Sequence, residues 1–123
     1  IFDRDMIIGM AEECKAPIRQ VGPAHIYQEP RVGRRYVAGT DVALGVGMDY
    51  SVTVILDVNS GYVVADLVTN TLQPEDFSVA SMRLLEEFSN PDWAIENNFS
   101  DTVLTIARNE NYPRLYRRTV WLI

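Results

Sequence analysis

Two acidic residues stand at the ends of two short apolar segments. Asp41 follows Tyr36-Val37-Ala38-Gly39-Thr40 and precedes a glycine-rich turn, and Glu96 closes Trp93-Ala94-Ile95 ahead of Asn97-Asn98. A carboxylate that ends a buried strand is held rigidly and partly desolvated, so it repels a neighbouring carboxylate unless a proton or a cation neutralises the pair. Two carboxylates delivered this way can share a divalent cation, and hard oxygen ligands suit Mg²⁺ or Mn²⁺. Plainer uses exist. Asp41 could shape the turn that follows it, although Asn and Gly do that work more often, which favours the ligand role. Glu96 could instead favour the start of the following helix through the helix dipole, and the residues alone leave its two readings open.

Other chemistry-bearing residues read more quietly. Asp49, in Met48-Asp49-Tyr50-Ser51, has the setting of a turn residue that opens the next strand. Asp57 and Asp66 are expected beside strand turns, in contact with solvent. His25 lies in a proline-rich stretch, as a structural or exposed residue, and Phe77 and Trp93 read as core.

The elements that must position the two acids follow from periodicity. Tyr36 to Asp41 reads as a strand. Val52, Val54, Leu56 and Val58 alternate with Thr53, Ile55 and Asp57, and Asn59-Ser60-Gly61 supplies a tight turn into Tyr62 to Val68, which makes a β-hairpin. Pro74 suits the first position of a helix, with Glu75 and Asp76 at the positive end of its dipole and Phe77, Ala80, Leu84, Leu85 and Phe88 on one apolar stripe. That helix ends near Ser89-Asn90-Pro91. The short apolar segment Trp93 to Glu96 then returns parallel to an earlier strand, as strand-helix-strand crossovers do. A second helix is predicted from about Ser100 to Glu110, capped by Asn98 or Ser100 and burying Val103, Leu104 and Ala107, with Pro113 beyond its end. Before this body, Asp5 to Lys15 has helical spacing of Met6, Met10 and Cys14. Ala16 to Pro30, with Pro17, Pro23, Pro30 and Gly22, reads as an extended strap. The expected organisation is a linker and strap over residues 1–35 and one domain over 36–123.

Bulk properties narrow the field. The 123 residues are 47% hydrophobic, enough for a core. No apolar run is long enough for a membrane span, and the amino-terminal residues lack the charge order of a secretory signal. One cysteine makes neither an internal disulfide nor a zinc site, which fits a reducing compartment. A net charge of −6, from 17 acidic against 11 basic residues, argues against a generic polyanion-binding surface. The arginines cluster locally, as Arg31, Arg34 and Arg35 and as Arg114, Arg117 and Arg118, where solvation or pairing with nearby acids is at least as good a reading as phosphate contact.

Three strands, a helix, a strand and a helix, with acids ending the first and fourth strands, is the element order of the RNase H-like fold, a mixed α/β sheet. The stretch Tyr36-Val-Ala-Gly-Thr-Asp41-Val-Ala-Leu-Gly-Val-Gly-Met-Asp49-Tyr50-Ser51 closely resembles the first acidic motif in the nuclease domain of viral large terminase subunits. Leu56-Asp57-Val58-Asn59-Ser60-Gly61, Gln73-Pro74-Glu75-Asp76-Phe77, Ala94-Ile95-Glu96-Asn97-Asn98 and Tyr112-Pro113-Arg114-Leu115-Tyr116 extend the resemblance over roughly 36–118. The resemblance implies a Mg²⁺- or Mn²⁺-dependent endonuclease that cuts double-stranded DNA during phage DNA packaging by two-metal-ion hydrolysis. It makes Asp41 the first metal ligand, Glu96 the second and Asp49 an auxiliary carboxylate. It also implies an ATPase domain on the same longer chain, portal and small terminase subunits as partners, and the cytoplasm of a bacterial host as the location. The family's third acid, on a carboxy-terminal helix, has no counterpart here, so weak metal affinity and little or no cleavage by these 123 residues are expected. The family's glycine after the second motif is replaced by Ser100 or Asp101.

Two other readings are consistent with parts of the pattern. Gly39-Thr40-Asp41 before a glycine-rich turn also occurs in actin-like and sugar-kinase phosphate-binding domains, but these carry a second phosphate loop later in the chain, and none is visible. A catalytically inactive docking module of a packaging motor is the other. No Gly-x-x-x-x-Gly-Lys-Ser/Thr motif is present, so the motor is expected on a separate amino-terminal part of a longer polypeptide.

Overall fold

A computed structural model describes residues 16–42, 50–96 and 101–116. The strands are β1 (Arg19–Val21), β2 (Ala24–Ile26), β3 (Tyr36–Asp41), β4 (Ser51–Asp57), β5 (Val63–Thr69) and β6 (Asp92–Glu96), and the helices are α1 (Pro74–Glu87) and α2 (Thr102–Asn109). The six strands form one sheet in the order β1-β2-β5-β4-β3-β6. Every pairing is antiparallel except that of β3 with β6. The mixed α/β architecture expected from the element order is the one observed. The helical spacing of Asp5 to Lys15 and the candidate ligand Asp49 lie outside the described residues.

Alternation assigns the two faces of the sheet. Ala38, Ile55, Ala65, Leu67 and Trp93 join Phe77, Ala80, Leu84, Leu85, Val103 and Ala107 in one buried cluster, so both helices cover this face. Val52 and Val54, with Val68 packed on them, form a second cluster on the opposite face. Strand β4 is therefore buried on both sides, as a central strand must be. Val58, read as its last apolar position, belongs instead to the turn and is exposed. That turn is held by Asp57, whose Oδ1 accepts the backbone N–H groups of Asn59 at 2.8 Å and Ser60 at 3.4 Å.

The strap departs from expectation. Residues 19–26 are extended, but they pair as a hairpin and continue the sheet through β2 and β5, with Ala24 and Ile26 fully buried in the main core. Gly22 and Pro23 make its two-residue turn. Pro23 cannot adopt positive φ and Gly22 does, at +58°, which selects the hairpin turn with Gly at its first central position. The side chain of Arg19 ties this edge to the helical layer, bonding Glu29 at 2.7 and 2.9 Å and Glu87, at the end of α1, at 2.9 Å.

Helix α1 has Pro74 in its first turn and buries Phe77, Ala80, Leu84 and Leu85, with Phe88 buried at its end, as the apolar stripe predicts. Helix α2 starts one residue after its N-cap, Asp101, rather than at the expected cap Asn98 or Ser100, both outside the described residues. It buries Val103 and Ala107, while Leu104 is only half-buried. Both helices close in the same way. Ser89 N–H reaches Glu86 O and Asn90 N–H reaches Leu85 O after α1, and Asn111 N–H reaches Arg108 O and Tyr112 N–H reaches Ala107 O after α2. This double reversal needs a left-handed residue at its corner, and Ser89 (φ 60°) and Asn111 (φ 58°) occupy it. Serine pays a steric cost there that glycine does not. Ser89→Gly is expected to raise stability by about 0.5–1 kcal/mol, measured as a higher urea midpoint with an unchanged slope.

Candidate metal centre

Strands β3 and β6 place the two acids. They run parallel, and their register pairs Val37 with Asp92, Gly39 with Ala94 and Asp41 with Glu96. Register partners on neighbouring strands point to the same face, with backbones about 4.8 Å apart. Asp41 and Glu96 thus stand side by side on the face opposite the helices, at the carboxy-terminal ends of their strands. Asp41 is 3% exposed and Glu96 half-buried. Open α/β sheets bind ligands at this end, where strands stop and loops begin. A desolvated carboxylate beside a second, half-buried carboxylate is a donor set that fits a hard divalent cation. Among the described residues no group of three or more His, Cys, Asp or Glu is gathered in one place, so the pair is the whole acidic site there.

Beneath the pair, on the helix face, runs a chain of buried hydroxyls. Trp93 Nε1–H donates to Thr40 Oγ1 at 2.8 Å, Thr40 Oγ1 lies 2.6 Å from Thr53 Oγ1, and Thr53 Oγ1 lies 2.8 Å from Ser81 Oγ. All four side chains are fully buried. The chain crosses from β6 through β3 and β4 into α1. The sequence reading assigned Trp93 to the core, where it is, but missed its bond. The available signal was a threonine or serine at a core-facing position in each of three apolar elements, since a buried hydroxyl needs a partner.

Asp57 and Asp66 are both 3% exposed, against the expectation that they meet solvent. Asp57 is satisfied by its turn and by Arg34, 3.3 Å away. Asp66 lies inside β5 rather than at its end. It accepts the Tyr27 hydroxyl at 3.0 Å and stands 3.9 Å from His25 Nδ1, the cross-strand partner on β2. Burial pushes the Asp66 carboxyl up to about 6, opposed by the Tyr27 hydrogen bond and the nearby imidazole. His25 is therefore a member of a polar cluster at the hairpin seam, three strands from Asp41 in the sheet order.

The arginines lie at the other end of the molecule. Arg34 pairs with Asp57, Arg35 approaches Asp92 at 3.7 Å, and Arg114 donates to the carbonyls of Ser89 and Asn90 at 3.2 and 2.6 Å. All three border one groove at the amino-terminal ends of β3 and β6, roughly 16 Å from the acids by the length of β3. They do not surround the carboxylate pair. Arg117 and Arg118 lie outside the described residues.

No family profile and no characterised protein sequence matches the chain. Solved structures do. The large terminase nuclease from thermophilic phage G20c matches with a TM-score of 0.70 and 18% identity, over 97% of this chain and 62% of that one. The same nuclease with bound magnesium matches at 0.68 and 18%, over 93% and 59%. The large terminase nuclease domain of Thermus phage P74-26 matches at 0.67 and 18%, over 91% and 56%. The fold is therefore the RNase H-like one. It is shared with these large terminase nucleases. The chain spans about three-fifths of the length of these structures.

The raised affinity of Asp66 for its proton has a consequence for stability. Its folded value, about 6, exceeds the ordinary value near 4, so its favourable contribution is complete below pH 4 and is lost as the pH rises through 6. Wild type and Asp66→Asn are expected to differ in this slope: relative to wild type, the variant gains about 1–2 kcal/mol between pH 4 and pH 7, read by urea unfolding at the two pH values. Equal slopes would show that Asp66 ionises normally.

Proposed function

We propose that this chain is the nuclease domain of a phage or prophage large terminase subunit, a metal-dependent endonuclease that cuts double-stranded DNA during packaging. The observation that carries the reading is the register of Asp41 with Glu96 at the carboxy-terminal ends of adjacent parallel strands, in a fold shared with large terminase nucleases. Those neighbours include the G20c nuclease with bound magnesium, zinc and cobalt, which supports a divalent cation, Mg²⁺ or Mn²⁺, as the cofactor here. The longer polypeptide would bring its own ATPase, act with portal and small subunits, and work in the cytoplasm of the bacterial host.

In this reading Asp41, rigid and nearly dry on β3, holds the cation site in place, and Glu96 closes it from β6. When bound, a pair of divalent cations supplies a nucleophile at neutral pH and offsets charge on the departing oxygen of the phosphodiester. The two carboxylates orient the scissile phosphate indirectly, through the positions they impose on that site, and their negative charge repels DNA until a cation neutralises it. Burial of Asp41 strengthens the pull of the pair on cations. With two carboxylates, affinity is weak, and Asp49 is the residue proposed to add a third oxygen ligand.

Manganese binding, followed by the loss of the free-ion electron paramagnetic resonance signal, and plasmid nicking test the reading together. The 123-residue chain is expected to bind Mn²⁺ weakly and nick slowly or not at all. A version extended by a carboxy-terminal segment is expected to nick supercoiled plasmid with Mn²⁺ and stop in chelator. Asp41→Asn should remove both binding and nicking. Unchanged Mn²⁺ binding in that variant would overturn the ligand role, and a protein that binds no divalent ion at all would favour the inactive docking module.

A further inference from the structure

The hydroxyl chain beneath the acids has a geometry that a simple core contact does not require. Strand β6 is five residues long and stands last in the strand order, with β3 as its partner strand and a parallel bridge from Trp93 to Leu115 on its outer side. Its register decides the site, because a slip of one residue moves a carboxylate to the other face and a slip of two moves it about 7 Å along the strand. Few backbone bonds hold so short a strand. Trp93 is the second residue of the pairing, opposite Ala38, and its indole reaches diagonally to Thr40, the residue before Asp41. The bond therefore spans the two strands that carry the two carboxylates, and a slip of β6 along β3 would move the indole away from the hydroxyl it reaches in the observed register.

The indole is itself immobilised. Its ring meets Tyr112 edge to face at 5.0 Å, and the Tyr112 hydroxyl donates to the carbonyl of Pro91, at the entry to β6. Burial keeps that hydroxyl protonated well above the ordinary tyrosine value, so it remains a donor throughout the working pH range. On the backbone, Trp93 N–H donates to Arg114 O at 2.9 Å and its carbonyl accepts Tyr116 N–H at 2.8 Å, which pins the strand from its outer edge. On the other side, Thr53 and Ser81 continue the chain from Thr40 into α1.

We infer that Trp93 and Thr40 are positioning residues for the metal centre: their hydrogen bond sets the register of β6 on β3 and so the spacing of Asp41 and Glu96. The inference rests on the proposed ligand roles of those two acids. It assigns to two buried neutral side chains, which touch no cation, a direct effect on cation affinity.

Three variants and one control test it. Trp93→Phe removes the N–H and keeps an aromatic ring, Thr40→Val removes the hydroxyl at nearly constant volume, and Thr40→Ser keeps the hydroxyl. Ile26→Val trims the core at the far side of the sheet, away from the acids, and reports what lost stability alone does. Mn²⁺ titrations run well below every melting temperature, where all four variants are folded, are expected to show binding about tenfold weaker for Trp93→Phe and Thr40→Val, and near wild type for Thr40→Ser and Ile26→Val. The double variant Trp93→Phe/Thr40→Val should bind no more weakly than either single one, because one bond is lost in all three. Amide hydrogen exchange reads the lock without any metal: Trp93→Phe should lose protection along the β3–β6 pairing while β4–β5 keeps theirs. Wild-type Mn²⁺ affinity in folded Trp93→Phe and Thr40→Val, or loss of protection spread evenly over the sheet, would overturn the inference. If wild-type protein shows no binding that depends on Asp41, the proposed function fails instead, and the exchange pattern still decides whether the bond sets the register.

Discussion

A parallel pair of strands delivers side chains at equal height to the same face only if its register is held, and the juxtaposition of Asp41 and Glu96 depends on that condition between β3 and β6. Asp41 and Glu96 are 55 residues apart in the chain and become neighbours through one row of that pairing. The α1 crossover brings β6 back parallel to β3, which is what aligns the two carboxy-terminal ends. An antiparallel return would have put Glu96 at the opposite end of β3, beside the arginines.

The rest of the fold serves this pair by making β3 rigid. Strand β3 has β4 on one side and β6 on the other, with α1 and α2 packed beneath. Burial of Asp41 is a by-product of that central position, and it would favour a cation at the proposed site, since a nearly dry carboxylate beside another gains more from neutralisation than a hydrated one. The buried threonines and serine beneath it would be a liability if left unpaired. Linked to each other and to the indole of Trp93, they are satisfied, and each link spans a different pair of elements.

Charge is partitioned along the strands. Acids gather at the carboxy-terminal end of β3 and β6, while Arg34, Arg35 and Arg114 border a groove at the other end, where they neutralise acids and helix-end carbonyls. In the proposed function, a chain of net charge −6 would meet a polyanion through a local cation site rather than through a basic surface.

Much of this was legible in the residues. Alternation gave β4 and β5, Pro74 and its apolar stripe gave α1, and an acid ending each of two apolar segments singled out the pair that β3 and β6 bring together, because those signals are local. One local signal was misread: Gly22-Pro23 between alternating residues encoded a hairpin. What no local pattern carries is which strands become neighbours. That Asp66, inside a strand, would be buried against Tyr27 and His25 depended on β2 joining β5. That Trp93 would reach Thr40 depended on β6 lying beside β3 in a single register. Chemical identity is written residue by residue, whereas adjacency is chosen by the packing of the whole sheet, since a strand's backbone bonds fit many partners equally well and only burial of the correct faces selects one.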